Sequence, residues 1–459
     1  MSRLPEIFAY IEAHRDQSIA RLMDYVSRPS ISAHGIGIGE TAEWLTNYLR
    51  ELGFDTVAYP TAGWPMIVGR YHKHPDKPTV LLYGHYDVQP PDPLEAWISP
   101  PFTPTIRNGR IYGRGAGDNK GQHFGQLLGI EAWLKVVGDL PCNVTFLLEG
   151  EEEVGSPNLA EFVRTYKDLL MADLVITADG PIHEDGTPQI EYGVRGVLSF
   201  ELYAKGANTD LHSGNWGGVA PQPLWRLVHL LSTMKNARGE ITIPGIMAQV
   251  APITALERAA LDSLPLDLER VMAGVGMTEL DGPPEVPFYD RISCRPTLTI
   301  NGFHGGYGGP GSKTVLPHEG LVKCDMRLVG GMSLAACEQA IRDHVNAVDP
   351  GIVVTFEGGM EPSRTPLDSP FAAPIHRAIV AAQGVEPYHI PSLGGSLPDY
   401  VYTKIMGIPA FVVPYANADE RNHAPNENII IDCYINGIRT GAALLEEIAK
   451  GNEEVKIKN

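Results

Sequence analysis

Thr79-Val80-Leu81-Leu82-Tyr83-Gly84-His85-Tyr86-Asp87 opens on five apolar or β-prone residues and closes on an imidazole and a carboxylate. A run of this length, too short for a helix and with no polar alternation, reads as a strand buried on both faces. Val144 to Leu148 and Leu174 to Thr177 repeat the pattern, and Gln122 to Val137 between the first two has helical periodicity. Buried strands alternating with a helix indicate an α/β sheet. Ala410 to Pro414 reads as a further apolar strand. Leu4 to Leu52 carries apolar residues at helical spacing, broken at Arg28-Pro29-Ser30 and by glycines near Gly35 to Gly39, and predicts two helices joined by a loop.

The pattern changes after Gly193-Val194-Arg195-Gly196. Val197 to Ala204 and Gly320 to Leu328 alternate apolar with polar residues, as a sheet with one wet face requires. Val353 to Glu357 reads as the last strand of that sheet, and Phe371 to Ala382 as a helix returning to the first domain. Residues 1–193 and 365–459 are thus expected to form one domain and 194–364 an inserted one. Leu261 to Pro287, Pro-rich and acidic, fits no element clearly. With 459 residues, the chain exceeds what one core usually organises.

A formal charge of −19 and the lack of Lys/Arg clusters argue against nucleic acid and anionic membranes as partners and leave a small molecule. No apolar run is long enough to span a bilayer. The five cysteines include no Cys-x-x-Cys pair and suit reduced thiols. The first 30 residues interleave charges with apolar positions, unlike a signal peptide, so a cytoplasmic location is expected.

Chemistry gathers at the strand ends. His85 and Asp87 follow the first strand, Glu151, Glu152 and Glu153 the second, and Asp179 the third, while His423 lies beyond the last. Asp118 sits in the glycine-rich loop Gly113 to Gly121, just before the helix. Ligands of open α/β sheets bind outside the carboxyl ends of the strands, so these residues should converge on one crevice. Imidazoles and carboxylates without thiolates suit Zn²⁺, Mn²⁺ or Co²⁺ in a hydrolytic site. Two such ions about 3.5–4 Å apart, sharing one carboxylate, would offset the repulsion among so many acids. Asp87 is placed to accept the other ring N–H of His85. Gly305 to Lys313 has the glycine content of a phosphate loop, but Ser312 separates glycine from lysine and no helical pattern follows.

Taken in order, Gly84-His85-Tyr86-Asp87-Val88-Gln89-Pro90, Gly113-Arg114-Gly115, Asp118-Asn119-Lys120-Gly121 and Glu149 to Ser156 form a connected set of motifs. His212-Ser213-Gly214, Lys313-Thr314-Val315-Leu316-Pro317, Arg327-Leu328-Val329, Gly394 to Pro398 and His423 to Glu427 continue it. The set resembles the M20 metallopeptidase family over nearly the whole chain, and within it the carnosinase and cytosolic nonspecific dipeptidase branch. The resemblance implies a mixed-sheet, zinc-peptidase-like catalytic domain with an inserted α+β domain that acts as lid and dimerisation module. It implies two divalent ions per subunit, zinc foremost, bridged by Asp118. One would also be held by His85 and Asp179, the other by Glu153 and His423, with Glu152 as general base. It further implies a cis peptide after Asp118, and a homodimer in which His212 and Thr314 serve the neighbouring active site. Arg327 with Gly395 and Ser396 would clamp the substrate's free carboxylate. Where the family more often has Asp, this chain has Asn119.

The expected reaction is hydrolysis of a dipeptide or similar small peptide. Glu152 passes a proton from water to the leaving amine, and His212 supports the carbonyl oxygen. The rival from the same family is an N-acyl amino acid deacylase of the desuccinylase or acetylornithine deacetylase type.

Overall fold

The computed structural model describes residues 2–457. Contacts divide the chain into two compact units, one of Met1–Gly193, Arg364–Ile390 and Val401–Asn459, the other of Val194–Ser363 and Pro391–Tyr400.

The first unit is built on an eight-stranded mixed sheet. Its strands are β1 (Asp55–Tyr59), β2 (Met66–Tyr71), β3 (Thr79–His85), β4 (Asn143–Glu149), β5 (Leu174–Thr177), β6 (Gln189–Glu191), β7 (Tyr388–Ile390) and β8 (Ala410–Val412). They lie in the order β1-β2-β4-β3-β5-β8-β6-β7. The central strands β4, β3, β5 and β8 are mutually parallel, so their carboxyl ends share one edge. β4 is buried at every position and β3 at all but its first, which accounts for their uninterrupted apolar sequences. His85 is the last residue of β3 and stands opposite Glu149, the last of β4.

Helix Lys120–Val136 packs on β3 and is buried along most of its length, because Ile431–Ile457 covers its other side. Their backbones approach closely at Gly129, where a Cβ would stand 2.7 Å from both Ala442 N and Ile438 O. The N-terminal region forms three helices, Leu4–Ala13, Arg15–Val26 and Ile38–Glu51, rather than two. The additional break falls at His14, whose φ of −109° leaves the helical region while apolar spacing continues across it.

The second unit carries a four-stranded antiparallel sheet in the order Thr297–His304, Glu319–Leu328, Gly196–Lys205, Ile352–Met360. Alternate residues Leu198, Phe200, Leu202, Val322, Cys324 and Met326 form a core with Leu227, Leu230 and Met234 of helix Pro223–Met234 and Ile341 and Val345 of helix Leu334–Val348. Ser199, Glu201, Asp325 and Arg327 take the alternate positions on the other face.

Two local assignments differ from the sequence expectation. The proline-rich stretch takes in the end of helix Ala255–Ser263, which begins with a Thr254/Glu257 capping box, and contains helix Leu268–Val275. Prolines at the helix boundaries and the short elements mask their periodicity. Residues 365–459 do not all belong to the first unit. Pro391–Tyr400 groups with the second, where Arg195 Nε donates to Gly394 O (2.7 Å) and Arg327 Nη1 to Ser396 Oγ (2.7 Å).

Gly129→Ala is expected to lower stability by about 1–3 kcal/mol through forced separation of the two helices. This outweighs the gain in helix propensity of about 1 kcal/mol. A urea midpoint that stays or rises would contradict the close-packing account.

Candidate functional site

At the shared edge of β3, β4 and β5, backbone geometry turns sequence-distant side chains toward one another. His85 Nε2 lies 3.1 Å from Asp118 Oδ1 and 3.5 Å from Asp179 Oδ2. His423 Nε2 lies 3.1 Å from the other oxygen, Asp118 Oδ2, and 3.2 Å from Glu153 Oε2. The ligand atoms of His85, Asp118 and Asp179 all lie within 4.8 Å of one another, as do those of Asp118, Glu153 and His423. Either group could hold a metal ion, and Asp118 is common to both. Hard oxygen and borderline nitrogen donors fit Zn²⁺, Mn²⁺ or Co²⁺.

Asp87 organises the next layer. Its carboxylate is fully buried, 3.3 Å from His85 Nδ1, and accepts the backbone N–H groups of Glu152 (3.2 Å) and Glu153 (3.1 Å). The closest acceptor to His85 Nδ1 is the Asp87 carbonyl, at 3.1 Å. One residue thus fixes the ring of His85 and the turn bearing both glutamates. Gln89 donates to Glu153 from its backbone N (3.2 Å) and from Nε2 (2.9 Å), fixing that carboxylate too.

The loop that presents Asp118 wraps a carboxylate whose role was not evident in the sequence. Glu427 Oε1 accepts the backbone N–H groups of Gly115, Gly117 and Asp118, each at 3.0 Å, while Oε2 pairs with Arg114 Nη1 at 2.6 Å. Both side chains of that ion pair are essentially inaccessible. A buried pair broken on one side is costly, so the loop and the segment after His423 are tied firmly together. The Asp118-Asn119 peptide is cis. Asn119 Oδ1 receives the backbone N–H of His85 (3.3 Å), and Nδ2 donates to Ala178 O (2.5 Å). An ionised aspartate could not make the second bond. His123 is kept neutral by burial and by the nearby His85 and Lys120 charges. Its Nδ1–H donates to Asn119 Oδ1 (2.9 Å) and its Nε2 accepts from Tyr25 (3.0 Å).

The crowding of acids shows in their protonation. Burial raises the Asp118 carboxyl, but His423 and His85 outweigh it and hold it well below the usual carboxylate range. Asp118 and then Glu153 lift His423 to about 10, and burial together with Asp118 lifts Glu153 to about 7. Glu152 is pushed well above its ordinary value by burial and by Asp179, Glu153 and Asp118, with His85 opposing. Glu420, also unforeseen, is buried with Oε2 unpartnered and is raised by burial and by Asp118. Cations suit a site with this excess of buried carboxylate. His423 adopts φ +55° and Asn426 φ +66°, left-handed conformations that turn the loop carrying the imidazole.

The remaining candidates lie in the second unit. His212 and Thr314 are neighbours across a two-stranded ribbon in which Leu211 pairs with Leu316 and His212 with Val315. Both are exposed. The Thr314 carbonyl accepts Ser213 N–H at 3.0 Å. Gly395 and Ser396 sit in the segment held by Arg195 and Arg327.

These motifs find their counterparts in known proteins. The model of Peptidase family M20/M25/M40 matches residues 81–447, and the chain belongs to this family of metal-dependent peptidases and amidohydrolases. It is 30% identical to the Beta-Ala-His dipeptidase of Homo sapiens, over 97% of this chain and 93% of that protein. It is 31% identical to a Cys-Gly metallodipeptidase of Schizosaccharomyces pombe, over 97% and 98%. An M20 family metallo-carboxypeptidase from Sulfolobus solfataricus has the same fold, with a TM-score of 0.88 at 33% identity over 94% of this chain and 99% of that one. Human carnosine dipeptidase 1 gives 0.81 at 29% identity over 98% and 99%.

Because His423 is protonated at pH 7 in the metal-free protein, loading the site should release protons, and affinity should rise with pH toward about 10. Zn²⁺ titration calorimetry in buffers of different ionisation enthalpy measures that release. A binding heat independent of the buffer would contradict this protonation scheme.

Proposed function

We propose that this M20 hydrolase is a two-metal dipeptidase that cleaves the amide bond of dipeptides or similar small peptides with a free C-terminal carboxylate. The observation that carries the reading is the placement of the Asp118 oxygens against two different imidazoles, each with a further carboxylate in reach. The dipeptidase relatives support the substrate class. Asp118, His85 and Asp179 hold one ion, and Asp118, Glu153 and His423 the other. Zn²⁺ fits this donor set, as do Mn²⁺ and Co²⁺. When bound, the ions lower the pKa of water and polarise the scissile carbonyl.

Glu152 takes a proton from the attacking water and delivers it to the leaving nitrogen. Its raised proton affinity, set by burial and three nearby carboxylates, suits both halves of that transfer. Asp87 keeps the Glu152 turn and the His85 ring in register through its buried carboxylate. Arg327 and the Gly395–Ser396 turn bind the substrate carboxylate, for which a guanidinium fork has matching geometry. His212 and Thr314 of a second copy complete the site in a homodimer, with His212 donating to the developing oxyanion. The free cysteines agree with a reducing, cytoplasmic setting.

The test is a panel of dipeptides and N-acyl amino acids offered to metal-stripped protein with Zn²⁺, Mn²⁺ or Co²⁺ restored. Metal-dependent release of free amino acids from dipeptides is expected, whereas cleavage of acylated substrates alone would select the deacylase. Glu152→Gln should retain its metals and lose about 10²–10⁴-fold in kcat. Near-normal turnover of that variant would remove Glu152 from the mechanism. Mixing Glu152→Gln with His212→Ala chains should restore activity through mixed dimers, and no recovery would argue against a shared site.

A further inference from the structure

Sheet register in the second unit brings two guanidinium groups to one place. Val197 stands opposite Arg327, and Arg195 lies one residue before the strand's first pair, Gly196 with Leu328, close enough for the two guanidinium charges to act on each other. Both arginines lean on one short loop. Arg195 Nε donates to Gly394 O at 2.7 Å, its backbone N–H meets Gly395 O at 3.1 Å, and Arg327 Nη1 donates to Ser396 Oγ at 2.7 Å. Among the described residues, the carboxylate at ion-pair distance is Asp325, whose Oδ2 is 3.6 Å from Arg327 Nε. Among the described residues, the side-chain hydrogen bond of Arg195 runs from Nε and that of Arg327 from Nη1, with none from the Arg195 terminal nitrogens or from Arg327 Nη2. Burial and then the Arg327 charge pull the Arg195 guanidinium down to about 10, with Asp325 opposing. Two half-buried guanidiniums set against one carboxylate leave positive charge and unused donors directed at the same loop.

We propose that Arg195 is a specificity-determining residue that joins Arg327 and Ser396 in a two-guanidinium seat for a single carboxylate, the free C-terminal carboxylate of the substrate. The proposal rests on the reading of Arg327 as the carboxylate clamp. A lone guanidinium tied to Ser396 would leave an incoming carboxylate partly unpaired, whereas the free terminal nitrogens of Arg195 supply the missing donors. A neutral C-terminal amide would leave both cations uncompensated, so the pair also selects against blocked or internal peptide positions.

The experiment compares metal-loaded full-length wild type, Arg195→Ala, Arg195→Lys and Arg327→Ala on a dipeptide and on its C-terminal amide. Arg195→Ala should raise KM for the free acid by about tenfold or more, as loss of a charge-assisted hydrogen bond does. It should leave kcat within about twofold and barely alter the amide, so that the preference for acid over amide falls. Arg195→Lys should recover part of that preference, since an ammonium keeps the charge but lacks the fork. If Arg195→Ala slows acid and amide alike, Arg195 merely holds the loop and the proposal is overturned. The same follows if the acid preference survives Arg195→Ala but is lost in Arg327→Ala. Survival of the preference in both variants would overturn the clamp reading itself.

Discussion

A carboxylate whose two oxygens meet two different imidazoles, as those of Asp118 meet His85 and His423, must be held in one orientation among neighbours that repel it. The first unit is organised around that requirement. Parallel strands bring His85, the glutamate turn and Asp179 to one edge, and the glycine-rich loop brings Asp118 in from the side. Glu427 then fixes the loop by accepting three of its backbone N–H groups with one oxygen, and Arg114 balances the other. The glycines of that loop allow its backbone to close around a carboxylate. A side chain at Gly117 would collide with Glu420, its Cβ falling 2.1 Å from Oε2.

The same crowding creates the proton chemistry. Carboxylates packed together in a poorly solvated place hold protons to higher pH, and Glu152 is the member of the cluster with two carboxylates of the ligand groups as sources of that shift, Asp179 and Glu153, besides Asp118. A group poised in this way suits general acid–base work. In the second unit, Arg195 and Arg327 stand together with Asp325 as the carboxylate beside them.

Much of this was legible in the sequence because strand ends are easy to find when strands are buried on both faces. Thr79 to Tyr83, Val144 to Leu148 and Leu174 to Thr177 are uninterrupted apolar runs, and of the polar residues that follow them His85, Glu153 and Asp179 meet in the two ligand groups, whereas Glu151 turns to Asn158. The motifs led to the M20 family by the same residues. Glu427 and Glu420 stayed hidden as participants since a glutamate in a loop carries no signal of what it will accept. The role of Glu427 appears only once a loop more than three hundred residues earlier is folded against it. Asn119 stood out in the sequence only as a departure from the Asp more frequent in the family, whereas the fold uses its amide N–H₂ on the Ala178 carbonyl. Pro391–Tyr400 defied assignment by position because its partners, Arg195 and Arg327, are far away in sequence. Periodicity reports which face of an element is buried, but long-range polar contacts made by irregular backbone leave no periodic trace.

Both ligand groups draw on Asp118, so two ions would have to share it. Metal content per chain, measured by mass spectrometry after gel filtration of wild type and of Asp118→Ala whose circular dichroism matches wild type, addresses that sharing directly. Two divalent ions per wild-type chain and loss of both in the variant are expected, because each donor group falls to two residues. A wild-type chain that holds one ion, or an Asp118→Ala chain that still holds two, would contradict the sharing.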